Sequence, residues 1–178
     1  MHLILIGLRG SGKSTAGRAT ADLVSRPFID LDERTEAFCG SDATTCFKER
    51  GEAAWRDAET AVLQLALDET TPSIIALGGG TPTAPGAAAM LHDAREGGRI
   101  KIAWLNGTPA NLAARIAGQP GRPALTDLEP AEEMRMMLER RGPIFGELAN
   151  ARIEIDDRPR SAVVADLVEP QMVPFQRL

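Results

Sequence analysis

Residues 7–15, with the sequence GLRGSGKST, have the composition and spacing of a phosphate-binding loop. Glycines allow several backbone N–H groups to converge on one anion without obstruction by Cβ atoms. In the pattern Gly-x4-Gly-Lys-Ser, the lysine reaches the β- and γ-phosphates of a nucleotide and the serine hydroxyl binds Mg²⁺. Four residues fit this pattern: Gly7, Gly12, Lys13 and Ser14. The segment therefore predicts a nucleoside triphosphate site, and we expect Arg9, which lies outside the pattern, to be solvated.

Two carboxylates lie close together in the apolar segment PFIDLD, at Asp30 and Asp32. Residues two apart on a strand point to the same side of the sheet. We therefore expect both carboxylates to face the crevice at the carboxyl end of the strand, where ligands bind in open α/β sheets. One is a candidate ligand of Mg²⁺ and the other a candidate partner of a substrate hydroxyl. The local sequence also fits a solvated turn or a helix N-cap at Asp32.

A glycine triplet and several arginines supply further candidate ligands. Gly78, Gly79 and Gly80 form a second place where a ligand can approach the backbone closely. A guanidinium binds a carboxylate or a phosphate through two parallel hydrogen bonds. The candidate arginines are Arg56, Arg115, Arg122 and Arg141. The residues around each arginine do not indicate which of the four binds a ligand.

Five short and nearly continuous apolar runs alternate with amphipathic segments along the chain. The runs cover residues 2–7, 27–32, 73–80, 100–106 and 152–156. Such runs are typical of strands that are buried on both faces of a parallel sheet. The predicted fold class is α/β, with a three-layer, doubly wound, five-stranded parallel sheet.

The segments between the apolar runs predict helices and loops. A helix is expected to begin near Lys13, and another to extend from about Glu52 to Asp68. The buried face of the second helix is expected to contain Trp55, Ala58, Val62 and Leu65. The stretch 117–130 is rich in glycine and proline, which predicts a mobile loop, and the tail after Glu169 is expected to be a loose terminus.

Composition and charge exclude several classes of function. A chain of 178 residues predicts one domain. The net charge of −5 is not concentrated in a block, which argues against nucleic-acid and membrane partners. No apolar run reaches the length of about 18 residues that crosses a bilayer. Cys39 and Cys46 lack metal-site spacing, so we expect free thiols in a cytoplasmic protein, and no metal or catalytic role for His2 or His92.

Over almost its whole length the chain resembles the shikimate kinase family. The resemblance depends on six segments in this order: GLRGSGKSTAGRATA, FIDLDERTE, FKERGEAAWRDAE, LGGG, GRPAL and ERRGPIF. It implies a single P-loop kinase domain (1–178) of nucleoside-monophosphate-kinase type, with a substrate-binding helical segment at 31–62 and a lid at 113–127. It also implies a monomer that transfers the γ-phosphoryl group of ATP, with Mg²⁺ as cofactor, to the 3-hydroxyl of shikimate in aromatic amino-acid biosynthesis.

The resemblance implies a role for each matching residue. The expected ATP ligands are Gly10, Ser11, Gly12, Lys13, Ser14, Thr15, Arg115, Arg122 and Arg158. The expected shikimate ligands are Asp32, Arg56, Gly78, Gly79, Gly80 and Arg141. Ser14 and Asp30 are expected to hold Mg²⁺. Asp32 is the candidate base, and with Lys13 and Arg122 it forms the expected catalytic set.

Three other functions fit parts of the sequence. A gluconate kinase-like enzyme acting on another small metabolite would share the features of the first half of the chain. A nucleoside monophosphate kinase would need a base-recognition pocket, which the sequence does not indicate. A catalytically silent nucleotide-binding regulator would not need the whole set of charged candidate residues described above.

Overall fold

The computed structural model of the protein describes residues 1–117 and 128–172. Its strands are β1 (His2–Ile6), β2 (Phe28–Asp30), β3 (Ile74–Ala76), β4 (Ile100–Asn106) and β5 (Ala151–Glu154). Its α-helices are α1 (Lys13–Val24), α2 (Leu31–Cys39), α3 (Ala43–Leu67), α4 (Ala87–Glu96), α5 (Pro109–Ile116), α6 (Pro130–Leu148) and α7 (Arg160–Met172). Among the described residues, no helix is both long enough and apolar enough to cross a membrane.

The five strands form one parallel sheet in the order β2-β3-β1-β4-β5. Helix α1 packs against α7, and α4 packs against α3 and α6, so helices cover both faces of the sheet. The central strand β1 is buried along its whole length, as an interior strand of such a sheet must be. These features confirm the predicted α/β class and the five-stranded parallel sheet.

Several predicted boundaries are wrong. Strand β3 covers Ile74–Ala76, which is shorter than the predicted apolar run of residues 73–80. Strand β2 ends at Asp30, because the chain enters a helix at Leu31. Helix α7 continues to Met172, so the first three residues after Glu169 are helical, and the rest of the predicted loose tail lies outside the described residues.

The helix predicted to begin near Glu52 is longer and is bent. Helix α3 begins at Ala43 and is kinked at Gly51, whose φ of 84° and ψ of 163° lie outside the helical region. Glycine adopts such positive φ angles without steric cost, which explains a bend at this position. Trp55, Ala58 and Val62 are buried as predicted, but Leu65 is 59% exposed because it lies at the margin of the buried stripe.

The first strand also contains a buried imidazole, at His2. Its Nδ1 accepts a hydrogen bond from the Ser73 N–H (3.2 Å), and its Nε2 lies 3.0 Å from the Glu69 carbonyl oxygen. The ring is therefore the neutral tautomer that donates from Nε2. Burial lowers the pKa of His2, because desolvation disfavours the charged imidazolium.

This lowered pKa predicts a pH-dependent stability. The unfolded chain binds a proton at His2 near its ordinary pKa of about 6.5, whereas the folded chain resists it. The contribution of His2 is therefore complete above pH 6.5 and is lost as the pH falls below that value. We expect the free energy of unfolding of the wild type to decrease between pH 7.5 and 5.5 more steeply than that of His2→Gln, measured by urea unfolding with circular dichroism. Parallel pH profiles for the two proteins would contradict this assignment.

Candidate functional site

The phosphate-binding loop joins β1 to α1 at the carboxyl edge of the sheet. Gly10 has a φ of 80°, and a Cβ atom on it would lie 2.7 Å from the carbonyl oxygen of Leu112. Both the backbone conformation and the close approach of α5 therefore require glycine at this position. Helix α1 begins at Lys13, as predicted, so the N–H groups of its first turn face the space above the loop.

The lysine of the loop is nearly buried and lies across the loop itself. Its Nζ donates hydrogen bonds to the carbonyl oxygens of Gly7 and Leu8, both at 2.9 Å. Lys13 thus brings a positive charge to the floor of a cavity of about 590 Å³. The loop residues 9–15 border this cavity together with Asp30 and Asp32.

A hydroxyl and a carboxylate meet beside the loop. The Ser14 hydroxyl donates to Asp30 Oδ2 at 2.6 Å, and Asp30 Oδ1 accepts from the Asp32 N–H at 3.1 Å. Asp30 is therefore the N-cap of α2, and Asp32 lies in the first turn of that helix. The prediction that both carboxylates lie on one strand is wrong, although both still border the cavity.

The glycine triplet follows β3 and lies beside Asp32 and the loop. A Cβ atom on Gly78 would collide with Asp32 Oδ1 and would lie 2.8 Å from Glu59 Oε1. A Cβ atom on Gly79 would lie 3.3 Å from the Arg9 backbone nitrogen. The lack of side chains in the triplet therefore lets a carboxylate and the phosphate-binding loop approach the same stretch of backbone.

A second cavity, of about 150 Å³, lies beside the first and contains the predicted arginine pair. Arg56 donates to Glu59 Oε2 at 2.6 Å and to Glu52 Oε1 at 2.8 Å. Burial lowers the pKa of the Arg56 guanidinium, but the charges and hydrogen bonds of Glu59 and Glu52 outweigh burial and raise that pKa above its ordinary value. A Cβ atom on Gly80 would collide with this guanidinium. Glycine at position 80 therefore leaves room for Arg56.

Arg141 approaches the same cavity from α6. It donates to the Gly79 carbonyl oxygen at 2.9 Å. Burial and the neighbouring positive charge of Arg56 lower the pKa of Arg141. Two guanidinium groups at one cavity repel each other, and an anion that binds both removes this repulsion. The arrangement therefore fits a ligand with a carboxylate or a similar anionic group.

Phe47 and Trp55 form an aromatic wall of the second cavity. Their rings meet edge to face with 5.9 Å between centroids, and the Arg56 guanidinium carbon also lies 5.9 Å from the Phe47 centroid. Such a wall excludes water from one side of a bound ring and orients it. The cavity thus offers charge at one part of its surface and an apolar face at another.

Two buried glutamates, Glu59 and Glu133, were not predicted from the sequence, and one arginine, Arg9, lies in a different environment from the one expected. Glu59 is 1% exposed and also accepts a hydrogen bond from the Thr81 hydroxyl at 2.7 Å. Glu59 lies between Ala58 and Val62 on the apolar face of a predicted helix, three residues after Arg56. This position was a signal in the sequence for a buried carboxylate paired with Arg56. Arg9 is not solvated as expected, because it forms an ion pair with Glu133, which is 1% exposed. No local pattern around Glu133 indicated this burial.

Two of the remaining predicted ATP ligands, Arg115 and Arg158, lie within the described residues. Arg115 donates to the Ile155 carbonyl oxygen at 3.0 Å, and Arg158 donates to Asp166 Oδ2 at 2.7 Å. The hydrogen bond to Asp166 raises the pKa of Arg158. Both arginines border the cavity that contains the phosphate-binding loop. Arg122 and most of the predicted lid lie outside the described residues.

The chain is similar in sequence to known proteins over most of its length. A family model described as "Shikimate kinase" matches residues 9–170. The chain is 35% identical over 169 residues to a protein named shikimate kinase from Pseudomonas paraeruginosa, and the alignment covers 95% of each.

Solved structures show the same similarity. The structure of shikimate kinase from Acinetobacter baumannii in complex with shikimate has a TM-score of 0.86 and 26% identity, and the match covers 96% of this chain and 92% of that one. A gluconokinase from Sinorhizobium meliloti has a TM-score of 0.61 and 20% identity, covering 94% of this chain and 89% of that one. At that lower identity the likeness shows the fold alone.

The two arginines of the second cavity predict different effects on stability. Arg56→Met leaves the buried Glu59 carboxylate without its cationic partner, so we expect a loss of about 3–5 kcal/mol in the free energy of unfolding. Arg141→Met removes a hydrogen bond to a backbone carbonyl, for which we expect about 1 kcal/mol. Urea unfolding followed by circular dichroism measures both values, and equal losses would contradict the assignment of Glu59 to Arg56.

Proposed function

Since the chain belongs to the shikimate kinase family, we propose that it transfers the γ-phosphoryl group of ATP to the 3-hydroxyl of shikimate. The observation that carries this proposal is that two unlike cavities meet at Asp32. One contains the phosphate-binding loop, and the other contains two guanidinium groups and an aromatic wall. A donor nucleotide and a small anionic acceptor can therefore bind side by side, with a carboxylate between them.

In this proposal the loop and the start of α1 bind the phosphates of ATP. The backbone N–H groups of residues 10–15 face the β-phosphate, and Lys13 contacts the β- and γ-phosphates. Arg115 and Arg158, which also border the first cavity, face the nucleoside. These contacts leave the γ-phosphate at the inner end of the first cavity, next to the acceptor.

Ser14 and Asp30 fit the requirements of a magnesium site. Their side-chain oxygens lie 2.6 Å apart at the edge of the first cavity, and oxygen donors are the ligands that Mg²⁺ prefers. The described residues contain no group of three or more His, Cys, Asp or Glu side chains that could hold a metal. ATP oxygens and water would therefore complete the ligand set, as is usual for Mg²⁺ with nucleotides. When bound there, Mg²⁺ neutralises part of the negative charge of the phosphates.

Asp32 is proposed to orient the acceptor hydroxyl and to accept its proton. A bond forms between the acceptor oxygen and the γ-phosphorus while the bond to the β,γ-bridging oxygen breaks, and ADP leaves. The transition state of such a transfer is loose, so positioning and charge neutralisation matter more than base strength. A carboxylate at the junction of the cavities fulfils this requirement.

Arg56 and Arg141 are proposed to hold the carboxylate of shikimate, and the glycine triplet to contact its ring through the backbone. The segment 31–62, which spans α2 and most of α3, supplies Asp32 and Arg56 and is the proposed acceptor-binding segment. The role of Arg122 as a lid arginine and the monomeric state stay predictions. The cytoplasmic location also stays a prediction.

An acceptor panel tests the proposed function. We expect ADP release with ATP and Mg²⁺ to depend on shikimate and not on gluconate, AMP or CMP. Release that depends on gluconate would favour the gluconate kinase-like alternative. Nucleotide binding without release to any acceptor would favour the silent regulator. Lys13→Ala serves as the inactive control.

Gly80→Ala tests the acceptor site without removing a charge. The backbone at position 80, with a φ of −101°, accepts an alanine, but the added Cβ would collide with the Arg56 guanidinium. We expect the KM for shikimate to rise at least about tenfold, which corresponds to about 1.4 kcal/mol, while the KM for ATP changes little.

Gly146→Ala is the matched control. It adds a methyl group on α6, where the nearest atom of the protein would lie 3.9 Å away on Trp104. Its kinetic constants should equal those of the wild type. An unchanged KM for shikimate in Gly80→Ala would refute the placement of the acceptor carboxylate at Arg56.

A further inference from the structure

Three described residues border both cavities: Arg9, Asp32 and Gly79. Asp32 is assigned above to the acceptor hydroxyl, and Gly79 contributes only backbone. Arg9 is therefore the cation at the junction, and neither the loop pattern nor the proposed function gives it a role. The γ-phosphoryl group must cross this junction on its way from ATP to the acceptor.

The position of the Arg9 guanidinium is fixed by Glu133. Arg9 donates a hydrogen bond to Glu133 Oε1, and the two side chains are 17% and 2% exposed. Glu133 lies in the first turn of α6, whose backbone is anchored by packing against α5 and β4. A carboxylate so deeply buried binds its cationic partner strongly, because the alternative is an uncompensated charge. Glu133 thus orients Arg9 towards α6 rather than into solvent.

The surroundings of Arg9 also place it near the acceptor. Its charge contributes to lowering the pKa of Arg141, after the larger effects of burial and of Arg56. Its backbone nitrogen lies beside Gly79, whose carbonyl oxygen binds Arg141. The side chain and the backbone of Arg9 therefore connect the phosphate-binding loop with α6, the helix that carries Arg141.

We propose that Arg9 is a catalytic residue that contacts the phosphoryl group during transfer, and that Glu133 is a positioning residue that holds the Arg9 guanidinium at the junction. This inference rests on the proposed function. A guanidinium has five N–H donors, enough to bind Glu133 and a phosphoryl oxygen at the same time. Negative charge on the oxygens at the γ-phosphorus is best neutralised by a fixed cation that needs no reorganisation during the reaction.

The step itself is the transfer described above. The acceptor oxygen forms a bond to the γ-phosphorus, the bond to the β,γ-bridging oxygen breaks, and ADP carries away that oxygen. The proton of the hydroxyl goes to Asp32. Arg9 gains and loses no proton, because a guanidinium stays charged throughout.

Two variants separate a catalytic role from a structural one. Arg9→Met leaves Glu133 buried without this cation, so we expect both a lower Tm and a kcat that falls about 100-fold. The double variant Arg9→Met/Glu133→Leu removes both charges, and replacing a buried ion pair by apolar residues commonly restores stability. We expect the Tm of the double variant to return to near that of the wild type while its kcat stays as low as that of Arg9→Met. In both variants the KM values for ATP and shikimate should change less than about threefold.

Arg135→Met is the control, because it removes an arginine from the exposed face of α6, the helix that also carries Glu133. It should have wild-type kcat and Tm. Recovery of kcat together with Tm in the double variant would overturn the inference, because the pair would then be structural only. A large rise in the KM for ATP with an unchanged kcat would also overturn it, because Arg9 would then bind the nucleotide in the ground state.

If the proposed function is wrong, the result differs from the one expected if only the Arg9 inference is wrong. In that case the wild type shows no shikimate-dependent release of ADP. If the acceptor panel identifies another acceptor, the same variants are assayed with that acceptor. The same comparison of kcat with Tm then supports or overturns the Arg9 inference. A wild type that transfers phosphate to no acceptor overturns both proposals.

Discussion

The parallel pairing of β1 with β3 brings together the two backbone segments around which the site is built. Leu5 pairs with Ala76, and the Leu77 N–H donates to the Leu5 carbonyl oxygen at 3.0 Å. Because both strands run in the same direction, the phosphate-binding loop and the glycine triplet leave the sheet at the same edge and lie side by side. The contact of Gly79 with the Arg9 backbone follows from this register. The two cavities adjoin beside this contact, since both are bordered by Arg9 and Gly79.

Around this edge, several polar and charged side chains pair with one another. Arg56 is bonded to two glutamates, Arg9 to one, and Ser14 to Asp30. Pairing a buried charge avoids the large cost of leaving it unsolvated, and it also fixes the direction of each long side chain. A ligand that arrives in such a site meets groups that need little further ordering, so less conformational entropy is lost on binding.

The sequence predicts the parts of the fold that depend on local pattern. The phosphate-binding loop, the start of α1 at Lys13 and the parallel class of the sheet all follow from residue spacing and apolar runs. The end of β2 was not predicted correctly, because an apolar segment with alternating aspartates fits a continued strand as well as a helix that begins at Leu31. Glu59 pairs with Arg56 three residues earlier on the same helix, whereas Glu133 meets Arg9 across the fold. Such contacts between distant segments leave little trace in a single sequence.

The aromatic wall of the second cavity has an optical consequence. The chain has two tryptophans and no tyrosine. One indole, Trp55, borders the second cavity, whereas the other, Trp104, lies in β4 and meets the Phe145 ring edge to face at 5.8 Å between centroids. Ultraviolet emission therefore comes from one indole beside the second cavity and one in the interior of the sheet. The second indole acts as an internal reference for the first, so the native protein contains an intrinsic fluorescent reporter of events in this cavity.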